Sequence, residues 1–229
     1  MKNIQDKHIF AVLGGDTRQR TVAKRLIDKG ACVRTFGLLE CESISGAEVC
    51  GTAERAVRHC DAIILPLPAS RDGASLSTMD QNIPQTMLFE IISLAKKHKV
   101  RYILGGMLPE DFVEQCGEQG IEVFDYYKRE SLQEKNALPS AEGALMVAME
   151  NTDITVFGMK TLICGFGRIG KKLAYILKRL GASVTVAARR DEVICEAILC
   201  GYDTLKIDGD FYVGCEYNVI FNPLPLFLR

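Results

Sequence analysis

Several features that would assign a function at once are missing from this sequence. Lys and Arg (28) nearly balance Asp and Glu (29), so the formal net charge is −1 and the pI is about 6.3. That balance argues against the basic surface of a nucleic-acid-binding protein and against a basic patch for membranes. No apolar run reaches the ~18 residues of a membrane span. The first residues, MKNIQDKHIF, lack a signal-peptide core. We therefore expect a cytoplasmic protein that binds neither nucleic acid nor membrane.

Close pairs of metal ligands are also missing. The nine cysteines are scattered without a C-x-x-C pair, and only three histidines accompany them. A zinc site needs ligands at short spacings, so we expect no metal site. Without an export signal, the cysteines are expected to be reduced and packed mostly as small apolar residues. They are Cys32, Cys41, Cys50, Cys60, Cys116, Cys164, Cys195, Cys200 and Cys215.

What the sequence does contain is an alternation of short apolar runs and helical patterns. Strands are predicted at HIFAVL, ACVRTFG, AIIL, RYILGG and IEVFDY, and again at TLIC, SVTVAA and residues 204–206. Strands separated by helices predict βαβ units and parallel sheets. We predict an α/β protein with two doubly wound, Rossmann-like domains. These are a substrate-binding domain at 1–135, a linking helix at 136–152 that starts near Pro139 with Ser140 as N-cap, and a nucleotide-binding domain at 153–229.

The second domain is expected to be truncated at its C-terminal end. About four strands are predicted before Arg229, whereas a complete dinucleotide-binding sheet has six.

The most informative motif is a glycine-rich loop that follows the predicted strand TLIC and opens a helix. It matches G-x-G-x-x-G, in which the glycines allow a tight turn, a close backbone approach to a pyrophosphate and helix–strand packing. The pyrophosphate would bind the free N–H groups at the positive end of the helix. The predicted cofactor-binding residues of this loop are Gly165, Phe166, Gly167, Arg168, Ile169 and Gly170.

The end of the next strand indicates which dinucleotide binds. An NAD site usually has Asp or Glu there, whereas this chain has Ala187, Ala188, Arg189 and Arg190. Guanidinium groups bind a 2′-phosphate through charge-assisted hydrogen bonds, so NADP is favoured over NAD. The alternative is that both arginines are solvated and partly neutralised by the acidic residues that follow.

Two loops of the first domain suit an anionic substrate. Asp16 follows Gly14 and Gly15 after the first strand, and an acidic residue there is a poor neighbour for a phosphate. Arg18 and Arg20 come next and are available to an anion. A second strand ends before Ser70, Arg71 and Asp72, on the rim where ligands of open parallel sheets bind. Arginines on that rim predict a carboxylate substrate.

Four segments together resemble the family of dipicolinate synthase A-subunits. They are VLGGDTRQ, ILPLPASRDG, LPSAEGAL and LICGFGRIGKKLA, in this order along most of the chain. The resemblance implies oxidation of a dihydrodipicolinate-type precursor to pyridine-2,6-dicarboxylate with a nicotinamide cofactor in spore-forming bacteria. It also implies that a flavoprotein-like second subunit, the B-subunit, is the partner, and self-association into a homo-oligomer is left open.

The resemblance further implies which residues contact the substrate. By motif these are Gly15, Asp16, Arg18, Arg71, Ser140, Ala141, Glu142 and Gly143, and the rim position adds Ser70. Hydride transfer that completes an aromatic ring makes light demands on acid–base catalysis, so the protein mainly holds the reactants in register. Asp16 and Glu142 are the candidates if a base is needed, although Glu142 could simply cap its helix.

Two other functions are compatible with the same motifs. One is a two-domain 2-hydroxyacid dehydrogenase or adenosylhomocysteinase-like protein, although the first would need a His–carboxylate pair that the sequence does not reveal. The other is a non-catalytic remnant that binds a nucleotide or a partner protein.

Overall fold

The computed structural model describes residues 8–38, 44–208 and 216–223. Cys41, Cys215 and the last six residues lie outside the described residues. The chain divides into two compact units, Met1–Arg129 and Glu130–Arg229. Each unit is built on a parallel β-sheet, which confirms the predicted α/β class.

The first unit contains a six-stranded parallel sheet with the order β3-β2-β1-β4-β5-β6. Its elements in chain order are β1 (Ile9–Leu13), α1 (Thr17–Asp28), β2 (Cys32–Phe36), β3 (Ala47–Val49), α2 (Ala53–Val57), β4 (Ala62–Ile64), α3 (Leu88–Lys97), β5 (Tyr102–Gly105), α4 (Glu110–Glu118), β6 (Glu122–Asp125) and a 3-10 helix (Tyr126–Lys128).

The central strands of this sheet are nearly continuous apolar runs because both of their faces are covered. β1 reads IFAVL and β4 reads AII, and Val12 and Ile63 are completely buried. Such strands are typical of parallel sheets with helices on both sides. The sequence did not predict β3 or α2, which are only three and five residues long.

The strand order fixes where a ligand of the first unit is expected. From β1 the chain proceeds towards β2 and β3, and from β4 it proceeds towards β5 and β6. The connections therefore reverse direction between β1 and β4. In open α/β sheets this reversal leaves a crevice at the carboxyl ends of the two strands.

The second unit contains a four-stranded parallel sheet with the order β10-β7-β8-β9. This matches the first four strands of a Rossmann sheet, with β7 as its first strand. Its elements are α5 (Glu130–Glu150), β7 (Lys160–Cys164), α6 (Arg168–Arg179), β8 (Ser183–Ala188), α7 (Asp191–Leu199), β9 (Asp203–Lys206) and β10 (Val219–Phe221).

The helix predicted over 136–152 corresponds to α5, which begins earlier and belongs to the second unit. The expected helix start at Pro139 and Ser140 is wrong because α5 runs through both residues. Ser140 does not cap the helix; its Oγ donates to the carbonyl oxygen of Asn136, 2.8 Å away, one turn earlier. Serine hydroxyls inside helices commonly bond the preceding turn in this way.

Candidate functional site

The turn after β1 places a carboxylate on the first turn of α1. Asp16 is the N-cap of α1, and its Oδ1 accepts a hydrogen bond from the backbone N–H of Arg18 at 2.9 Å. An Asp at this position satisfies a free N–H group and interacts favourably with the positive end of the helix dipole. The anion-binding end of α1 is therefore already occupied by the protein's own carboxylate.

The same carboxylate holds the side chain of Arg18. Arg18 Nε lies 3.0 Å from Asp16 Oδ1, and Nη2 lies 2.7 Å from Oδ2. Nη2 also donates to the carbonyl oxygen of Leu67, 2.6 Å away, in the segment that follows β4. The hydrogen bonds from Arg18 lower the pKa of Asp16, burial opposes this, and the charge of Arg71 contributes in the same direction as Arg18. The pair thus links the carboxyl ends of β1 and β4 and keeps Asp16 ionised.

The segment after β4 is organised by Asp72. Its carboxylate accepts hydrogen bonds from Ser70 Oγ at 2.9 Å, from the N–H of Ala74 at 2.9 Å, and from the N–H and Oγ of Ser75 at 2.8 and 2.5 Å. These bonds, that from Ser75 Oγ above all, hold the pKa of Asp72 well below its usual range. Ser70 is buried, whereas Arg71 between them is exposed.

Tyr126, which follows β6, reaches the same crevice. Its hydroxyl donates to the carbonyl oxygen of Leu65 at 2.9 Å, and burial raises its pKa to about 12. A Cβ on Gly106, after β5, would lie 2.8 Å from the Tyr126 ring and 2.7 Å from Leu67. The loops after β4, β5 and β6 are therefore packed together, and glycine at position 106 permits that contact.

The glycine-rich loop of the second unit has the geometry that a pyrophosphate requires. Gly165 has φ +99°, a conformation that favours glycine, and a Cβ on Gly170 would collide with the carbonyl oxygen of Gly165. Gly167 is the N-cap of α6, no side chain caps this helix, and a Cβ on Gly167 would meet no heavy atom within 4 Å. The N-terminus of α6 is thus open, in contrast to that of α1.

Two side chains of the loop contact other residues of the second unit. Phe166 is buried and packs edge-on against Tyr202, with ring centroids 5.6 Å apart. Arg168 forms ion pairs with Glu130 at 3.4 Å and Glu134 at 3.5 Å on α5. Phe166 and half-buried Ile169 could therefore offer a cofactor only their backbone N–H groups.

Two arginines without partners follow β8. Ala188 is buried, and exposed Arg189 and Arg190 form no hydrogen bond or ion pair through their guanidinium groups within the described residues. Asp191, which was expected to help neutralise them, is bonded instead to Lys206 Nζ. Two exposed guanidinium groups therefore lie at the carboxyl end of β8, beside the glycine-rich loop.

The predicted α5 residues are more dispersed. Ala141 is completely buried, Glu142 is exposed in the middle of the helix, and Gly143 lines a groove of about 550 Å³ between α5 and β10. The mid-helix position of Glu142 excludes the N-terminal capping role that the sequence left open.

Residues 9–127 match the family model described as the N-terminal domain of the dipicolinate synthase A-subunit. The chain belongs to the family of dipicolinate synthase A-subunits. It is 28% identical over 182 residues to the dipicolinate synthase A-subunit of Bacillus subtilis (strain 168), which covers 79% of this chain and 60% of that protein. The chain thus spans about 60% of the length of this relative.

Solved structures agree with the fold of this family member. The dipicolinate synthase A-subunit of Bacillus halodurans superposes with a TM-score of 0.76 at 23% identity, over 96% of this chain and 75% of that chain. D-lactate dehydrogenase of Escherichia coli superposes with a TM-score of 0.58 at 16% identity, over 96% and 66% of the two chains. Both solved chains share the fold of the present protein.

The His–carboxylate pairs that the structure contains do not lie at either carboxyl edge. His8 Nδ1 is 3.5 Å from Asp61 Oδ2, and these residues precede β1 and β4. His98 Nε2 is 3.7 Å from Glu54 Oε1, and His98 lies shortly before β5. The pairs are therefore at the amino edge of the first sheet, away from the crevice, which does not favour the 2-hydroxyacid dehydrogenase alternative.

The structure brings most predicted residues to two places. Gly15, Asp16, Arg18, Ser70 and Arg71 lie at the first carboxyl edge, and residues 165–170 and 188–190 lie at the second. Tyr126 and the carbonyl oxygen of Leu67 were missed, because their contacts depend on strand order.

No group of His, Cys, Asp and Glu side chains that could hold a metal occurs within residues 8–38, 44–208 and 216–223. Over the same ranges, no helix combines the length and the apolar character needed to cross a membrane.

Proposed function

We propose that this chain is the dehydrogenase subunit of dipicolinate synthesis. It oxidises a dihydrodipicolinate-type precursor to pyridine-2,6-dicarboxylate with NADP. The observation that carries the proposal is the difference between the two glycine turns. Asp16 closes the N-terminus of α1 to phosphate, whereas α6 begins at Gly167 without a cap. The second unit would therefore hold the dinucleotide, and the first unit would hold the substrate.

NADP rather than NAD is supported by charge. No carboxylate ends β8, and the residues that follow it are Arg189 and Arg190. A 2′-phosphate would accept charge-assisted hydrogen bonds from these guanidinium groups. Because Asp191 is paired with Lys206, it does not neutralise them.

A dicarboxylate substrate is supported by the guanidinium donors at the crevice of the first unit. Arg18 keeps the two hydrogens of Nη1, and exposed Arg71 forms no hydrogen bond through its guanidinium group within the described residues. Two substrate carboxylates would accept hydrogen bonds from these remaining guanidinium N–H groups.

The chemistry needs little from the protein beyond binding and orientation. A nicotinamide dinucleotide held by the backbone of residues 165–170 and by Arg189 and Arg190 would supply the acceptor for a hydride from a ring carbon of the substrate. Loss of one proton then completes the aromatic ring, so the substrate gives up two electrons and two hydrogens in all. Asp16 is a weak base because the hydrogen bonds from Arg18 lower its pKa. We therefore assign to Asp16 the orientation of Arg18. Glu142, the other candidate base, is exposed on α5 of the second unit.

The remaining parts of the proposal follow from family membership. The proposed partner is the flavoprotein-like B-subunit, and self-association into a homo-oligomer is left open. The proposed site of action is the cytoplasm of a spore-forming bacterium.

Calorimetric titration with NADP⁺ and NAD⁺ tests this function. The chain is expected to bind NADP⁺ more tightly than NAD⁺. The double substitution Arg189→Ala and Arg190→Ala should lower the ratio of the NADP⁺ affinity to the NAD⁺ affinity about 10- to 100-fold. Arg179→Ala is the matched control, because this arginine is at the opposite end of α6 and stacks on Tyr175. Failure to bind either dinucleotide would reject the enzymatic function for this chain, and tighter binding of NAD⁺ would reject the role of the arginines.

A further inference from the structure

The two arginines at the crevice of the first unit differ in what they can still bind. Arg18 uses its Nε–H for Asp16 and divides its Nη2 hydrogens between Asp16 and the carbonyl oxygen of Leu67. A guanidinium group has five N–H donors, so only the two on Nη1 remain. A second carboxylate could not bind the Nε–Nη2 face of Arg18 without displacing Asp16.

Arg71 keeps all of its donors. Its guanidinium group forms no hydrogen bond or ion pair with any residue that the structure describes, and its side chain is exposed. Its charge nevertheless lowers the pKa of Asp16, so it belongs to the same edge of the sheet. Arg71 is thus available for the two parallel N–H···O bonds that a carboxylate accepts from arginine.

The backbone that carries Arg71 is fixed on both sides. Before it, the N–H of Ala69 donates to the carbonyl oxygen of Gly106 at 2.8 Å, and the carbonyl of Ala69 accepts from the N–H of Ser77 at 2.9 Å. After it, Asp72 accepts four hydrogen bonds from Ser70, Ala74 and Ser75. The loop therefore presents Arg71 from a defined position, and the four hydrogen bonds to Asp72 maintain that loop.

We propose that Arg71 is the residue that binds a substrate carboxylate and that Asp72 is the positioning residue that holds it in place. Asp16 and Arg18 then form a closed pair that shapes the crevice. This inference rests on the proposed function, because it assumes a dicarboxylate substrate. It goes beyond that function by assigning different roles to the two arginines and a role in specificity to Asp72.

A comparison of two ligands tests the assignment. Pyridine-2,6-dicarboxylate and the neutral pyridine-2,6-dicarboxamide have the same shape and differ in charge. Arg71→Ala is expected to weaken binding of the dicarboxylate about 10- to 100-fold and to leave the dicarboxamide nearly unchanged. Arg71→Lys should restore only part of the lost affinity for the dicarboxylate, because an ammonium group is a point charge and cannot donate the two parallel hydrogen bonds of a guanidinium group.

The role of Asp72 is tested by Asp72→Asn, which keeps Arg71 but replaces two acceptor oxygens with one oxygen and one donor. We expect a loss of preference for the dicarboxylate over the dicarboxamide, with the thermal midpoint of each variant recorded alongside. Arg101→Ala is the matched control, because this exposed arginine stacks on Tyr102 at the amino end of β5.

Each outcome decides the proposal. If Arg71→Ala bound the dicarboxylate with wild-type affinity, Arg71 would be an ordinary surface arginine. That result would overturn this inference and leave the proposed function standing. An unchanged ligand preference in Asp72→Asn would overturn the positioning role. Absence of dicarboxylate binding to the wild-type chain would overturn both this inference and the proposed substrate.

Discussion

Asp16 holds Arg18 through both carboxylate oxygens, with Nε 3.0 Å from Oδ1 and Nη2 2.7 Å from Oδ2. The same Oδ1 caps α1. The Asp16 carboxylate therefore closes the N-terminus of this helix to anions and also fixes the Arg18 side chain at the crevice. The second unit has no such residue at the start of α6. Two similar glycine turns are thereby given different chemistry by a single side chain.

Substitution of Asp16 should separate its capping from its charge. Asp16→Ala removes the acceptor for the N–H of Arg18 and is expected to cost about 1 kcal/mol of unfolding free energy. Asp16→Asn should cost less, since its amide oxygen can still cap. Urea denaturation at pH 7, followed by circular dichroism, measures both. Equal costs for the two variants would mean that the cap contributes little.

The charge of Asp16 makes a pH-dependent contribution. The folded-state pKa of Asp16 lies below its ordinary value of 3.8, chiefly because of the hydrogen bonds from Arg18. Its stabilisation is therefore complete above that ordinary value and is lost as the pH falls through the lower folded-state value. The stability difference between wild type and Asp16→Asn should be constant from about pH 7 to pH 5 and should vanish in stronger acid. A difference that grew on acidification would contradict the direction of the shift.

Gly170→Ala should damage the second unit. Its Cβ would collide with the backbone carbonyl of Gly165, which cannot move without opening the turn. We expect a loss of about 1–3 kcal/mol and weaker NADP⁺ binding. Gly143→Ala is the matched control, because a Cβ there meets nothing within 4 Å in the interior of α5. That variant should be neutral or slightly more stable, by up to about 1 kcal/mol. Similar melting curves for the two variants would argue against the close contact.

Tyr126→Phe should reveal the hydrogen bond to Leu65. Loss of the hydroxyl is expected to cost about 1 kcal/mol at pH 7. Burial raises the pKa of Tyr126 from 10.0 to about 12, so the fold favours the neutral phenol. The stability that this residue contributes is present below pH 10 and declines between about pH 10 and 12. Tyr126→Phe should remove that alkaline decline, whereas the control Tyr175→Phe, with an exposed ring, should retain it. A loss of stability of equal size between pH 10 and 12 in both variants would show that it comes from other titrating groups.

The local sequence pattern was sufficient to predict the glycine-rich loop and the α/β class. G-x-G-x-x-G between a strand and a helix is a short-range signal, and the structure places Gly165 and Gly170 in contact as that motif requires. The unsuitability of Asp16 for a phosphate site was also predictable from its charge.

Other features depend on strand order and could not be predicted from spacing. Arg18 is 49 residues from Leu67, and Tyr126 is 61 residues from Leu65. The first contact joins the ends of the adjacent strands β1 and β4, and the second joins the ends of β4 and β6 across β5. Pro139 and Ser140 suggested a helix start because both residues are common there. Packing of α5 against α6 continues the helix through them.

Hydrogen–deuterium exchange of the whole chain with saturating NADP⁺ would show whether the second unit holds the dinucleotide. The amides at the uncapped start of α6 should exchange quickly in the free chain because they have no partner in the preceding turn. NADP⁺ is expected to slow exchange over residues 165–170 and to leave residues 14–20 unchanged. Protection of residues 14–20, with no change over 165–170, would place the dinucleotide on the first unit instead.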